Sequence, residues 1–389
     1  MSTVTTHRTA PLWKFAEVSP PMPEFNDLTE SDEVTFIPLE DVWPTNKADD
    51  FRMVPWEKRL NGYTPFRRGD LLLPKVTPTV THGRTMITNT ATELGVASTE
   101  VYTVRARPGA DSRWLAYLLV GTEFLGLAGA SVQGTGGLKR ISTQFVESYP
   151  LPDASPDEQR AIADYLDRET AEIDAMSADL DKMEALLTER RVAYIGRAVR
   201  TISGPSKRVR LQSIARIHAG ETITAADIED DGLFAVYGGN GVRGYADRAN
   251  EEHDRVLVGR QGALCGNVHL ARGPFFASEH ALVVEPHIDV DLEWLALVLS
   301  DQNLGQLSMS AAQPGITAMG VGLQKIDMPG LDEQRRIVAE IDRETAEIDA
   351  MLADITELRD LLAERRAALI AAAVTGQIDI PTAEETPHA

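Results

Sequence analysis

An internal repeat constrains this sequence more than any other feature. Aligning residues 157–199 with residues 332–374, at an offset of 175 positions, gives about 26 identities in 43 positions. The ten residues DRETAEIDAM occur unchanged at 167–176 and at 342–351. A repeat of this quality predicts two copies of one structural unit, so we expect the chain to fold as a tandem duplication.

Each copy of the repeat predicts a long helix. Apolar residues recur at alternating steps of three and four, neither copy has an internal proline, and Pro156 and Pro329 precede the copies, where proline suits a helix start. The apolar stripe consists of Ile173, Met176, Leu180, Met183 and Leu187 in one copy and Ile348, Met351, Ile355, Leu358 and Leu362 in the other. We expect the stripes to pack together as a coiled-coil pair of roughly 65 Å. The alternative is that each stripe packs on its own globular domain.

The segments outside the helices repeat more faintly. Asp111-Ser-Arg-Trp-Leu-Ala matches Asp291-Leu-Glu-Trp-Leu-Ala at an offset of 180, and each match opens an apolar helix of some 18 residues. Runs typical of strands lie at 34–39, 70–73, 233–237 and 256–259. The predicted fold class is α+β, with two mixed α/β domains alternating with two long antiparallel coiled-coil helices in a pseudo-twofold tandem repeat. The predicted boundaries are 1–152, 153–203, 204–329, 330–380 and a disordered tail at 381–389.

Charge and composition limit the possible functions. The net charge is −21, which excludes a protein that coats nucleic acid without specificity but allows a local basic cleft. No apolar run reaches the roughly 18 residues of a membrane span and the N-terminus lacks the apolar core of a signal peptide, so we expect a cytoplasmic protein with no membrane partner. Cys265 is the only cysteine, so there is no disulfide within the chain.

No motif predicts a catalytic centre. Residues 239–244 fit G-x-G-x-x-G, but no apolar helical face follows them, which favours a glycine-rich turn presenting Asn240, Arg243 and Tyr245 over a cofactor site. Residues 19–22 (SPPM) are similar to a loop of amino-methyltransferases, but Met22 lacks a flat stacking face. The eight histidines have no metal spacing, and there is no P-loop. We therefore expect no catalysis, no metal and no cofactor in this chain.

Taken in order, several motifs give the chain a resemblance to the specificity subunits of type I restriction-modification systems over essentially its whole length. Around the helices they are Leu151-Pro152 with Asp157-Glu158-Gln159, and Met328-Pro329 with Asp332-Glu333-Gln334. In the first domain they are Asn61-Gly62-Tyr63-Thr64, Gly69-Asp70-Leu71-Leu72 and Ser98-Thr99-Glu100. In the second they are Tyr237-Gly238-Gly239-Asn240-Gly241, Gly259-Arg260-Gln261-Gly262 and Ala277-Ser278-Glu279-His280.

The resemblance implies a function in phage defence. Residues 1–152 and 204–329 would be target-recognition domains, each reading one half of an asymmetric bipartite site in double-stranded DNA. The helical regions would space the two halves and dock two methyltransferase (M) subunits, accompanied by restriction (R) subunits. S-adenosylmethionine and ATP would then be bound by those partner subunits, and this chain would be non-catalytic.

Polar residues near the turns are the candidates for DNA contact. They are Lys75, Arg84, Ser98, Thr99, Lys139 and Arg140 in the first domain, and Tyr237, Asn240, Arg243, Tyr245, Arg260 and Gln261 in the second. Arginine matches guanine and asparagine or glutamine matches adenine in the major groove, although most contacts of such proteins go to phosphates. Two alternatives stay open: a coiled-coil scaffold with two protein-binding domains, and a self-sufficient DNA methyltransferase.

Overall fold

The chain divides into two compact units, each with its own cores. The computed structural model describes residues 8–44, 51–132, 139–308, 314–378 and 380, so the predicted disordered tail at 381–389 lies outside the described residues. Unit 1 comprises 1–179 with 357–389, and unit 2 comprises 180–356. Both boundaries fall inside long helices, so each unit holds one globular domain and part of each helix.

Two four-stranded sheets form the globular part of unit 1. Their strand orders are β2-β9-β6-β7 and β4-β3-β8-β5, and β1 pairs separately with β10. The pairing of β3 with β8 is parallel. The strands are β1 (Thr9–Pro11), β2 (Ala16–Val18), β3 (Glu33–Ile37), β4 (Arg52–Pro55), β5 (Thr64–Arg67), β6 (Leu71–Pro74), β7 (Met86–Ile87), β8 (Leu94–Ala97), β9 (Val101–Ala106) and β10 (Pro150–Pro152).

The helices of unit 1 correct one prediction. They are α1 (Ser112–Val120), α2 (Thr122–Ser131), α3 (Thr143–Ser148) and the first part of α4 (Pro156–Arg200). The single 18-residue helix expected after Asp111 is wrong, because the backbone of Gly121 is extended (φ −66°, ψ 145°) and separates α1 from α2. Within the described residues no single helix is long and apolar enough to cross a membrane, and only the bent pair of α1 and α2 passes on length and composition together.

Unit 2 repeats the arrangement with a different second sheet. Its sheets have the orders β12-β18-β15-β16 and β14-β13-β17, and β11 pairs with β19. The strands are β11 (Ser206–Arg210), β12 (Ala215–Ala219), β13 (Phe234–Gly238), β14 (Gly241–Ala246), β15 (Arg255–Gly259), β16 (Val268–Ala271), β17 (Phe276–Ala277), β18 (Ala281–Pro286) and β19 (Lys325–Pro329). The helices are α5 (Leu292–Asp301), α6 (Ala318–Gly322) and α7 (Leu331–Val374). The end of α4 also belongs to unit 2, and the end of α7 belongs to unit 1.

The expectations for strands and helices differ in outcome. The four predicted strand runs are confirmed to within two residues at either end, as β3, β6, β13 and β15. The 18-residue helix expected after Asp291 is wrong, because α5 stops after ten residues. The chain reverses at Asn303, whose φ of 48° is a left-handed conformation that a helix cannot continue through.

A buried glutamine ties each long helix to the globular domain of its unit. Gln159 Oε1 accepts a hydrogen bond from the Asp111 backbone N–H at 3.0 Å, and Gln334 Oε1 accepts one from the Asp291 N–H at 2.8 Å. The Nε2 of each glutamine donates to a carbonyl oxygen five residues earlier, at 2.8 and 2.9 Å. Asp111 and Asp291 in turn cap α1 and α5 through their side chains. The Asp-Glu-Gln and Asp-x-x-Trp repeats therefore meet in one equivalent joint in each unit.

The two long helices pack antiparallel within each unit. In unit 1, Arg366 of α7 donates to Asp174 of α4, and in unit 2, Arg191 of α4 donates to Asp349 of α7 at 2.6 Å. Asp174 and Asp349 are equivalent in the repeat, as are Arg191 and Arg366. The same ion pair thus occurs once in each unit with the helices exchanged, as the predicted pseudo-twofold repeat requires.

Candidate nucleic-acid interface

A tight hairpin forms the centre of the candidate interface in unit 2. Strands β13 and β14 are antiparallel, and the pairing of Gly238 with Gly241 leaves Gly239 and Asn240 in a two-residue turn. Gly241 has a φ of +84°, a conformation that favours glycine. A strand rather than a helix follows, so the G-x-G-x-x-G segment does not form a dinucleotide-binding turn, and the predicted glycine-rich turn is confirmed.

Glycines also let this hairpin tip touch the end of β15. A Cβ on Gly259 would lie 2.0 Å from the Gly239 carbonyl oxygen, and a Cβ on Gly239 would lie 2.9 Å from the Gln261 carbonyl oxygen. Such distances are far below van der Waals contact, so only glycine fits at either position. The close approach brings Asn240 and Arg243 of the hairpin beside Gln261.

These side chains line a groove of about 340 Å³, which we call the tip groove and define by Asn240, Val242, Arg243, Gln261, Leu264 and His280. Arg243 is exposed and, among the described residues, has no carboxylate partner, whereas Arg248 near the other end of the hairpin pairs with Glu221 at 3.8 Å. An unpaired guanidinium leaves a local positive charge on a strongly acidic protein. Arginine in this state is available to bind a guanine edge or a phosphate.

Amide and apolar groups complete the tip groove. Asn267 Nδ2 donates to Asn240 Oδ1 at 2.7 Å, so these two amides hold each other in place. Val242 and Leu264 are 48% and 51% exposed. Amides beside exposed apolar side chains match the edges of adenine and the methyl group of thymine. The groove therefore offers polar and apolar contacts suited to base pairs as well as phosphate.

The open end of the same hairpin has the opposite charge. A second cavity of about 340 Å³ there is lined by Asp227, Glu229, Asp231 and Asp247. Tyr245 and Arg248 share this lining, so Tyr245 lies apart from the tip groove. Carboxylates repel phosphate, and the charge pattern therefore favours the tip over the open end as the side that meets nucleic acid.

The other two candidates of this domain have mainly internal contacts. Tyr237 packs its ring against Phe275, with centroids 5.3 Å apart, and burial raises the pKa of its phenol. Arg260 donates from its backbone N–H to the His280 carbonyl at 2.8 Å and from its guanidinium to the Glu279 carbonyl at 3.3 Å. The structure thus places Asn240, Arg243 and Gln261 together, with Arg260 directly behind them.

In unit 1 most of the candidate residues gather at one bridge. Val76 pairs with Arg140, and Arg140 forms two hydrogen bonds to the Glu100 carboxylate at 2.7 and 2.8 Å. Lys75 donates to the Thr99 carbonyl at 2.9 Å and lies 4.6 Å from the centre of the Tyr102 ring, and burial lowers its pKa. Ser98 accepts from the Glu100 N–H, and Lys139 is exposed beside this group.

Arg84 lies apart from that group and serves the fold. Its guanidinium stacks on Trp43 at 4.3 Å and donates to the carbonyl oxygens of Leu39, Glu40 and Val42. These contacts use its donors inside the domain. In the first domain the basic side chains are therefore mostly engaged internally, and Lys139 keeps the freest cationic group of the four candidates.

Known proteins resemble this chain in sequence. Residues 204–358 match the family described as the type I restriction modification DNA specificity domain. The specificity subunit of the type I restriction enzyme EcoprrI of Escherichia coli is 35% identical over 156 residues, which cover 39% of this chain and 38% of that subunit. These matches cover less than half of the chain and show that this part is similar to type I specificity subunits. Another relative, the EcoEI specificity subunit of Escherichia coli, is 28% identical over 152 residues, which cover 38% of this chain and 25% of that subunit.

A solved structure is similar to this chain over nearly the whole fold. That chain comes from a type I R-M system described for its complex assembly and conformational transition. Its TM-score is 0.68 at 17% identity, with 97% of this chain and 100% of that chain covered. At this identity the match establishes the fold, while the aligned relatives are matched over well under half of their length.

The long helices α4 and α7 leave part of the predicted apolar stripe exposed. Ile173, Ile348 and Ile355 are buried, and Leu180, Leu187 and Leu362 are half-buried, whereas Met176, Met183, Met351 and Leu358 are 40–50% exposed. The exposed apolar residues are duplicated, with Met176, Leu358 and Leu361 in unit 1 and their repeat equivalents Met351, Met183 and Leu186 in unit 2. We call these two sets the exposed helix patches.

Sequence reasoning missed the side chains that complete the tip groove. His280 and Glu279 stood in a recognised motif but were not singled out, and Asn267, Val242 and Leu264 gave no signal in the sequence. Their role depends on the close approach of two segments some twenty residues apart. Only the glycine spacing at 238–241 and 259–262 hinted at that approach.

Proposed function

We propose that this chain selects the DNA sequence for a type I restriction-modification complex and has no catalytic role of its own. Each globular domain reads one half of an asymmetric bipartite site in double-stranded DNA. The helices, in this proposal, set the spacing of the two halves. The tip groove carries the proposal, because it combines an unpaired arginine with fixed amides and exposed apolar side chains within the matched segment.

The charge pattern favours DNA over a protein partner for the tip groove. The groove combines apolar side chains with an unpaired arginine and amides between two glycine turns, and arginine with amides matches base edges and phosphate. On a chain with a net charge of −21, one uncompensated arginine gives weak general attraction to phosphate. Selectivity would then come from base edges, and partner subunits would supply much of the phosphate contact.

The exposed helix patches support docking of two methyltransferase subunits. Each patch presents methionine and leucine side chains on an otherwise charged helix pair, and the repeat places the same chemistry in both units. A duplicated surface suits two copies of one partner. Restriction subunits would join the same complex, and S-adenosylmethionine and ATP would be bound by the partner subunits.

Selection of DNA by the purified full chain, with the subunits that accompany it from its host, tests this function. The probe is a library of random duplexes, and we expect a bipartite motif whose binding weakens steeply as salt rises. If the chain binds its partner proteins but selects no sequence from the library, the scaffold alternative is favoured. Methyl transfer by the chain alone would favour the methyltransferase alternative.

Exchanging one domain tests the division into halves. Replacing residues 205–327 with the same segment of a related specificity subunit should change one half of the selected motif and leave the other half and its order unchanged. A matched exchange of residues 8–150 should change the other half. If either exchange alters both halves, the domains do not read DNA independently.

A further inference from the structure

Three polar side chains at the tip groove form a chain of contacts that ends in the groove. The imidazole of His280 lies between the other two, with Nε2 3.2 Å from Glu279 Oε1 and Nδ1 3.1 Å from Gln261 Oε1. Gln261 itself is exposed. A glutamine amide that reads a base must present its oxygen and nitrogen in a defined order, and this contact defines it.

The backbone around Gln261 is already fixed on both sides. Gln261 forms an isolated bridge with Gly315, and the preceding residue, Arg260, donates its N–H to the His280 carbonyl at 2.8 Å. The remaining freedom lies in the side-chain torsions of Gln261, above all the rotation of its amide. A free amide would populate both orientations. Nδ1 of His280 either donates or accepts, according to the tautomer that Glu279 selects at Nε2, so the ring favours a single orientation of the amide.

We propose that Gln261 reads one base of the target and that His280, held by Glu279, is the positioning residue that orients its amide. The inference rests on the proposed function. With one outer position of the amide taken by the ring, the free edge offers one acceptor and one N–H donor side by side. Adenine presents the complementary pair in the major groove, its N6 amino donor and N7 acceptor, so the base read is adenine.

Base frequencies at single positions of the selected motif test the proposal, using the full chain and the random duplex library. The unchanged chain should prefer adenine at one position by about ten- to a hundredfold, and Gln261→Ala should remove the preference there and nowhere else. Gln261→Glu, which has acceptors only, should move the preference toward cytosine, whose N4 amino group donates. These two variants keep the question answerable if either one folds poorly.

Variants of His280 and Glu279 test the positioning role of His280. His280→Leu should relax the same position several-fold and leave the other positions unchanged. Glu279→Gln keeps an acceptor for Nε2–H and should retain the preference that Glu279→Ala loses. His287→Leu is the matched control, since His287 lies in the same domain with Nε2 3.3 Å from the Ser213 carbonyl and outside the tip groove.

The outcomes distinguish a failure of the proposed function from a failure of the role of Gln261. If the unchanged chain selects no sequence, the proposed function fails. If it selects a motif that Gln261→Ala leaves intact, the function stands and the reading role of Gln261 is wrong. If His280→Leu weakens every position alike, or changes none while Gln261→Ala changes one, the positioning role is wrong.

Discussion

Replacing the buried glutamine of the joint in unit 2 should destabilise that unit strongly. Gln334→Met keeps nearly the same volume but removes the hydrogen bonds to the Asp291 N–H and the Pro329 carbonyl, at 2.8 and 2.9 Å. Gln334 is 0% exposed, so water cannot take the place of its amide in these two hydrogen bonds. Leaving a buried donor or acceptor unpaired costs about 1–3 kcal/mol, so the two together should cost roughly 2–6 kcal/mol.

Urea unfolding of the full chain measures the total, and hydrogen exchange of the Asp291 amide measures the local effect. Exchange at that amide should quicken by about tenfold for each 1.4 kcal/mol lost. Gln159→Met should produce the same change at Asp111 in unit 1. Gln306→Met is the control, because Gln306 is exposed and should change stability by about 0.5 kcal/mol or less.

A cost of Gln334→Met no larger than that of Gln306→Met would refute the reasoning. The same holds if exchange at the Asp291 amide stayed unchanged while global stability fell, because the loss would then have another origin. Unequal costs for Gln334→Met and Gln159→Met would contradict the structural equivalence of the two joints.

Three further predictions concern the helices and the core. Met183→Glu, at a 50% exposed position, should leave urea unfolding unchanged and abolish co-purification of the methyltransferase subunit. Ile355→Glu, at a 2% exposed position, should unfold unit 2 because it buries an unpaired charge. Equal destabilisation by both variants would contradict the role of the exposed helix patches as a docking surface. Trp294 is fully buried, and its indole N–H has no hydrogen-bond partner among the described residues. In thermal unfolding, Trp294→Phe should therefore lower the free energy of unfolding by much less than the roughly 3–5 kcal/mol expected for Trp294→Ala. Equal losses would show that the N–H has a partner. Hydrogen bonds from the Arg336 side chain and the Ser203 backbone N–H lower the pKa of Glu333 to about 2. The stability that this carboxylate contributes is therefore full above its ordinary pKa near 4.5 and is lost as the pH falls toward 2. Glu333→Gln should flatten the acid limb of the stability profile, and an unchanged limb would show that these hydrogen bonds do not stabilise the fold.

The repeat made the helices and their pairing predictable, while the ends of shorter elements depended on contacts that a local pattern does not contain. The apolar run after Asp111 has the composition of one helix, yet Gly121 breaks it where the chain must bend within the core of unit 1. The strands were recognisable because short apolar runs separated by glycine-rich turns mark them locally. Their order in the sheets, such as β12-β18-β15-β16, depends on distant partners and could not be predicted.

Charge alone did not predict which basic residues are free. Arg84 and Lys75 look like candidates for DNA contact in sequence, but Trp43 and Thr99, from distant parts of the first domain, take up their cationic groups. Arg243 follows a glycine turn, and nearby carboxylates such as Glu221 and Glu285 pair with other arginines. Whether a basic side chain is free or engaged therefore depends on how the domain packs.

At the hairpin tip, the residues that fix the backbone are different from the residues whose side chains line the tip groove. Gly239 and Gly259 admit no side chain, so the path of the backbone at the tip is set by residues that cannot touch a base. Asn240, Arg243 and Gln261 project from this fixed path with few duties in the core. Under the proposed function, mutations at these three positions alter the recognised sequence while the fold stays intact, so new targets can arise through single substitutions.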